Sequence, residues 1–191
     1  MNNYFIVDIE TVPNNIENYF FLSEEKKLEL LNPIDSKIWA LGIRHNEVNK
    51  LFYGHNEKEI LTQFWSEWNL IMEKNAITGI VGFSINNFDI PFIIARSFIH
   101  GVKIRPFTLK QVIDLREKIN AYRYGKTRGR LKEYAKLLGL PVLDVDGGDV
   151  ASLYKNDNTE KLKEYLSNDL FITDELYKRA LETDIIKINK W

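Results

Sequence analysis

Asp8 and Glu10 stand two residues apart in Phe5-Ile-Val-Asp8-Ile-Glu10-Thr11, a run otherwise dominated by apolar, β-branched residues. Such a run reads as a buried strand, and side chains two apart on a strand point to the same side. Two carboxylates that close repel unless a cation lies between them. Oxygen-only ligands suit magnesium or manganese better than zinc. The chain carries 27 acidic residues in 191, so an Asp-x-Glu also arises by chance, and on a surface strand it would be a solvated face. Further carboxylates in suitable places must decide between the two.

Two places supply them. Val81-Gly-Phe-Ser-Ile-Asn-Asn-Phe-Asp89-Ile-Pro-Phe92 leaves a strand, crosses a polar turn and enters a helix, with Asp89 at the junction. Taken alone, an aspartate there is equally a helix cap. Tyr165-Leu-Ser-Asn-Asp169 lies inside the last helix, where an i, i+4 spacing puts Tyr165 and Asp169 on one face; taken alone, such a tyrosine is more often core than chemistry.

The elements that must position these residues follow from periodicity and punctuation. After the first strand, Val12-Pro13-Asn14-Asn15 breaks regularity, and 23–31 reads as a short helix with glutamates at its N-terminal end, closed by Asn32-Pro33. Residues 37–44 and 48–53 read as strands of a hairpin. Ile60, Leu61, Phe64, Trp65, Trp68 and Ile71 give 57–72 the spacing of an amphipathic helix, with both tryptophans in the core. Residues 76–83 form an apolar strand in which Gly79 and Gly82 mark close backbone approach. A helix from Asp89 or Pro91 to about His100 follows, with proline harmless in its first turn. Residues 108–115 read as a further strand. A helix begins after Gly129 and is stopped by Gly139 and Pro141, and a long helix capped by Asn158 or Thr159 runs to about Leu181. No repeat or linker divides the chain, so residues 1–191 read as one domain with an insertion at about 12–36.

Composition sets limits. Hydrophobic residues at 45% and charged residues at 28% are the balance of a soluble globular domain. No segment reaches bilayer length and nothing resembles a signal peptide. The absence of cysteine excludes disulfides, thiolate metal sites and thiol nucleophiles; together these features fit a cytoplasmic protein with no membrane partner. A net charge of -1 argues against a DNA coat or architectural protein, whose affinity depends on a strongly basic surface. His45, His55 and His100 share no ligand spacing. Asp114, at the end of a strand, reads as structural support.

Asp8 and Glu10 on the first strand, Asp89 in Asn87-Phe88-Asp89-x-Pro91, and Tyr165-x-x-x-Asp169 together resemble the three motifs of the DEDD superfamily of 3′-to-5′ exonucleases. Tyrosine at 165, with Glu at 164 where another branch carries histidine, resembles the tyrosine branch. Asp-Ile-Glu-Thr-Val-Pro and Gly-Phe-Ser-Ile-Asn-Asn-Phe-Asp-Ile-Pro look most like the proofreading exonuclease of family B DNA polymerases and its stand-alone relatives, as does Asp146-Gly-Gly-Asp149. The likeness covers roughly residues 4–181; Ser84 stands where the family commonly has Asn, and 191 residues leave no room for a polymerase domain. The resemblance implies an α/β, RNase H-like fold with a mixed five-stranded sheet flanked by helices.

It further implies a metal-dependent exonuclease that removes nucleotides from the 3′ end of single-stranded DNA with two divalent ions, Mg2+ or Mn2+. By resemblance, Asp8 bridges both ions, Glu10 and Asp169 complete one site and Asp89 holds the other. Tyr165, whose phenol has an ordinary pKa of about 10 and is a poor base, orients the attacking water. Thr11, Asn87 and Phe88 fall to nucleic-acid contact. The alternatives are an RNA-directed nuclease on the same fold, because no motif reads the 2′ position, or an inactive binding module serving a polymerase. A replication or repair protein is the expected partner class.

The stretch 118–132 is the second candidate. It holds Lys118, Arg123, Lys126, Arg128, Arg130 and Lys132, with Tyr122 and Tyr124 interleaved. Cations that track phosphates and aromatics that stack on bases are the composition of a single-strand grip; a solvated surface loop has the same composition.

Overall fold

The first strand, β1 (Tyr4–Pro13), divides the molecule. In a computed structural model that describes residues 3–74, 77, 79–123 and 129–190, its side chains alternate between two cores. Phe5, Val7 and Ile9 face one, Tyr4 and Ile6 the other. β1 pairs antiparallel with β2 (Ser36–His45), which pairs antiparallel with β3 (Val48–Tyr53). On its other side β1 pairs in parallel with β4 (Gly79–Gly82), and β4 with β5 (Val112–Asp114). The order β3-β2-β1-β4-β5 makes the expected mixed five-stranded sheet.

The strand and helix periodicities explain the layers. Helix α3 (Glu57–Lys74) buries Ile60, Leu61, Phe64, Trp65, Trp68 and Ile71 with α4 (Asp89–His100) against the Phe5 face. The Tyr4 face is covered by α5 (Leu115–Ile119), α6 (Leu131–Leu137), α7 (Val150–Lys155) and above all α8 (Thr159–Glu182), whose Leu162, Leu166, Leu170 and Leu176 form its stripe. Asn158 caps α8, its side chain accepting from the Lys161 N–H, as the sequence indicates. Between β1 and β2 lie α1 (Ile16–Tyr19) and α2 (Glu24–Glu29), the latter capped by Ser23.

Three boundaries differ from expectation. β1 does not break at Val12-Pro13, because a bulge shifts its register so that Glu10 opposes Ala40 while Thr11 opposes Ile38, and pairing then continues to Pro13 opposite Ser36. Bulges of this kind concentrate beside functional sites and re-aim side chains. The strand expected over 76–83 is shorter, and residues 76 and 78 lie outside the described residues. The strand expected over 108–115 is mostly turn. The Gln111 side chain accepts from Thr108, a single 3-10 turn covers Leu109–Gln111, three residues pair with β4, and Asp114 caps α5.

Gly42 explains how close α8 lies. It opposes Asp8 in the ladder, and a Cβ there would stand 2.6 Å from Leu170 Cδ1 and 3.3 Å from Leu166 Cγ. A side chain at 42 would have to displace the Leu170 and Leu166 side chains that seat α8 on the sheet.

Candidate active site

Because Asp8 and Glu10 continue the Tyr4–Ile6 face, they point to the side that α8 covers. One carboxylate oxygen each from Asp8, Glu10 and Asp169 lies within 4.8 Å of the others. Tyr165, one turn before Asp169, is buried, and its hydroxyl interacts electrostatically with the Asp169 carboxylate. Asp169 Oδ1 is buried without a hydrogen-bond partner among the described residues. A buried carboxylate oxygen left unpaired is costly.

Asp89 reaches the cluster from the opposite layer. It is the first residue of α4, which has no side-chain cap, and its Oδ1 instead accepts from the Ile9 N–H of β1 at 3.1 Å. The turn before it is built to a tight pattern. Ser84 has φ of 64°, and the N–H groups of Asn87 and Phe88 return to the Ser84 carbonyl. A Cβ on Gly82 would come within 2.7 Å of Ile85 Cβ. Asp114 fastens this turn by accepting from the N–H groups of Ser84, Asn86 and Glu117 at 3.1, 3.2 and 3.2 Å. Its structural reading from sequence agrees with that geometry.

Electrostatics record the crowding. Burial, then the charges of Asp89, Glu10 and Asp169, push the Asp8 carboxyl well above the ordinary range. Glu10 is raised in the same way, first by burial and then by Asp169 and Asp89. Burial lifts Asp89 to about 7. Asp169 rises to about 6, also from burial, against the opposing pull of Lys132 and the Tyr165 hydroxyl. The Tyr165 phenol is raised by burial and by the surrounding carboxylates, so at neutral pH it is a hydrogen-bond donor.

Lys132 was visible in the sequence only as one charge of a basic stretch. In the structure its ammonium lies 4.9 Å from the Tyr165 ring centroid and 3.2 Å from Asp146 Oδ1, and it lowers the carboxyl pKa of both Glu10 and Asp169. The signal was its position, the first turn of the helix that follows Arg130. Asp146 and Gly147, from the Asp146-Gly-Gly-Asp149 run that carries part of the resemblance, also line the cleft, with Gly147 facing the Tyr165 hydroxyl.

Glu10, Lys132, Tyr165 and Asp169 border an open cleft of about 490 Å³, with Asp8 and Asp89 behind its lining, a volume within the usual range for small-ligand sites. Glu10, Thr11, Phe88, Arg130, Tyr165 and Asp169 line it, as do residues of α2. Other expected contact residues lie elsewhere. Asn87 sits in the 84–88 turn. Tyr122 packs against the C-terminal segment, its hydroxyl donating to the Ile188 carbonyl at 3.4 Å, and Arg123 is exposed. Tyr124, Lys126 and Arg128 lie outside the described residues. The histidines do not converge: His55 meets Asp157 and His100 meets Glu57.

The carboxylate cluster stands where the central strand of an RNase H-like sheet meets α8, and comparison with known proteins agrees on that fold. The chain resembles the family B DNA polymerase of the hyperthermophilic archaeon Pyrobaculum calidifontis, with a TM-score of 0.71 at 17% identity over 95% of this chain. It spans a quarter of that polymerase. Residues 107–184 match the family described as a predicted 3′-5′ exonuclease related to the exonuclease domain of PolB. The uncharacterized protein MJ0365 of Methanocaldococcus jannaschii is 32% identical over 171 residues, covering 82% of this chain and 93% of that protein. The chain belongs to the same family as that protein. Among the described residues no helix is long and apolar enough to cross a membrane.

Proposed function

We propose that the protein is a 3′-to-5′ exonuclease of the tyrosine branch, acting on single-stranded DNA ends in the cytoplasm. The observation that carries this reading is Asp169 Oδ1, a buried acceptor with no hydrogen-bond partner among the described residues, on a carboxylate that groups with those of Asp8 and Glu10 within 4.8 Å. An oxygen-rich, acceptor-only pocket fits a hard divalent cation such as Mg2+ or Mn2+. Asp8, Glu10 and Asp169 would hold one ion, and Asp89, beside Asp8, would serve a second. Bound there, the ions would neutralise the phosphate, make water acidic enough to attack, and stabilise the departing 3′ oxygen.

The chain's own groups do the rest. Tyr165, held neutral by its surroundings, keeps a polar hydroxyl at the cleft floor beside Asp169, where it orients the attacking water. Lys132 places positive charge beside Glu10 and Asp169 where negative charge accumulates on the phosphate. The water oxygen bonds to phosphorus as the bond to the 3′ oxygen breaks, the proton passes to that oxygen, and a nucleoside 5′-monophosphate leaves. Arg130 and Phe88 in the cleft supply a cation and an aromatic surface for the strand.

The test is incubation of 5′-labelled single-stranded DNA and RNA with magnesium, manganese or EDTA. A ladder shortening from the 3′ end of DNA, abolished by EDTA, is expected. Internal cuts, RNA as the preferred substrate, or binding without cleavage would each overturn the reading.

A further inference from the structure

The segment between β1 and β2 forms two short helices although neither α1 nor α2 buries a residue. Hydrogen bonds at its base hold it instead. Asn14 N–H donates to the Asp35 carbonyl, Asn14 Nδ2 to the Ile34 carbonyl, Ser36 Oγ to the Leu30 carbonyl at 2.7 Å, and Arg96 Nη1 to the Pro33 carbonyl. On its far side Lys155 meets Glu17 at 2.9 Å. So anchored, α2 stands along the cleft. Leu28 is 67% exposed and Leu31 50% exposed, and both line the cleft above the carboxylates together with Phe88 and Ile9. Lys27, beside them, is pinned by Glu24 at 2.7 Å and by the Tyr19 ring at 5.2 Å.

Leu28 on α2 and Leu31 just beyond its C-terminal end are largely exposed, so they contribute little to folding. The cleft α2 completes has an apolar wall on one side, cations at Lys27, Arg130 and Lys132, and acidic ligands at the floor. That is the complement of a nucleotide: an apolar base, an anionic phosphate and a bond that requires metal.

Resting on the exonuclease reading above, we propose that α2 is a base clamp: Leu28 and Leu31 form the wall against which the 3′-terminal nucleobase packs. The enzyme therefore grips an end by its base as well as by its phosphates. Removing the clamp weakens substrate binding without touching the hydrolytic groups.

The experiment compares wild type with the Leu28→Ala/Leu31→Ala variant on two single-stranded oligonucleotides, one with a normal 3′ end and one whose terminal nucleotide is abasic. Both side chains are exposed, so the fold is expected to survive, which a thermal melt verifies. The variant should raise KM on the normal end at least about fivefold, the low end of the range for losing a base contact, with kcat unchanged. On the abasic end variant and wild type should coincide. Anisotropy of labelled oligonucleotide in EDTA gives the same comparison without hydrolysis. Equal binding of the normal end by variant and wild type, or an equal loss on both ends, would overturn the clamp. Failure of wild type to shorten either strand, with the anisotropy difference intact, would overturn the nuclease reading and leave the clamp standing.

Discussion

Each carboxylate at the cleft floor has a distinct local environment, and the consequences of removing it differ accordingly. Asp8 is central, raised by all three neighbouring acids; Asp8→Asn should lower exonuclease activity by more than the roughly 10–100-fold that loss of a mere supporting group costs a metal site, with magnesium affinity falling in parallel by calorimetry. Tyr165→Phe removes one hydroxyl from a buried ring. It should reduce kcat by up to about 100-fold, the effect of misplacing a reacting group, while magnesium affinity stays near wild type; full activity would remove the water-orienting role. At this scale the sequence was highly legible, because an Asp-x-Glu on a strand and a Tyr-x-x-x-Asp on a helix are fixed by local geometry. Lys132 was not, because its significance is its distance from Tyr165 across the fold, which no spacing along the chain encodes.

Two features of the elements position those residues. Gly42 lets α8 approach β2 opposite Asp8, so Gly42→Val should destabilise the protein by about 1–3 kcal/mol, as overpacking usually does, and should weaken metal binding because Asp169 adjoins the displaced Leu170. Denaturant unfolding and calorimetry on the same variant check both. Asp114 fixes the turn that delivers Asp89 through three backbone N–H groups. Asp114→Ala leaves those donors unpaired and should cost at least the roughly 1 kcal/mol of an ordinary cap. The long elements were legible from periodicity: α3, α4, α8, β2 and β3 follow from apolar spacing and end signals. The short helices α2 and α6 were legible from their flanking cap and stop residues, whereas β5 and the end of β1 were not. β5 exists because β4 offers a partner, and β1 continues past Val12 because a bulge in its pairing with β2 resets register; both are long-range facts.

At the scale of the whole molecule, the sheet brings acids from β1, α4 and α8 to one point and leaves them mutually repelling. Asp89 and Asp169 have folded-state pKa values raised to about 7 and about 6, above the ordinary carboxylate value of about 4. The folded state thus holds protons that the unfolded chain has already released, and stability falls with rising pH wherever that is so. Metal-free protein should therefore lose thermal stability between about pH 4 and pH 7, by more than Asp8→Asn does over the same window, and magnesium at neutral pH should restore it. A parallel pH dependence in the two proteins would contradict the raised carboxyl of Asp8 itself, which burial and its acidic neighbours lift. The resemblance of motifs made the fold legible as a whole, yet the placement of α1 and α2 beside the cleft was not, since neither helix carries a pattern tied to the acids. The most direct measurement of the central claim is product analysis of single-stranded DNA digested in magnesium by wild type and by Asp8→Asn. The account predicts nucleoside 5′-monophosphates released stepwise from the 3′ end by wild type and almost none by the variant; internal fragments, or equal release by both proteins, would contradict it.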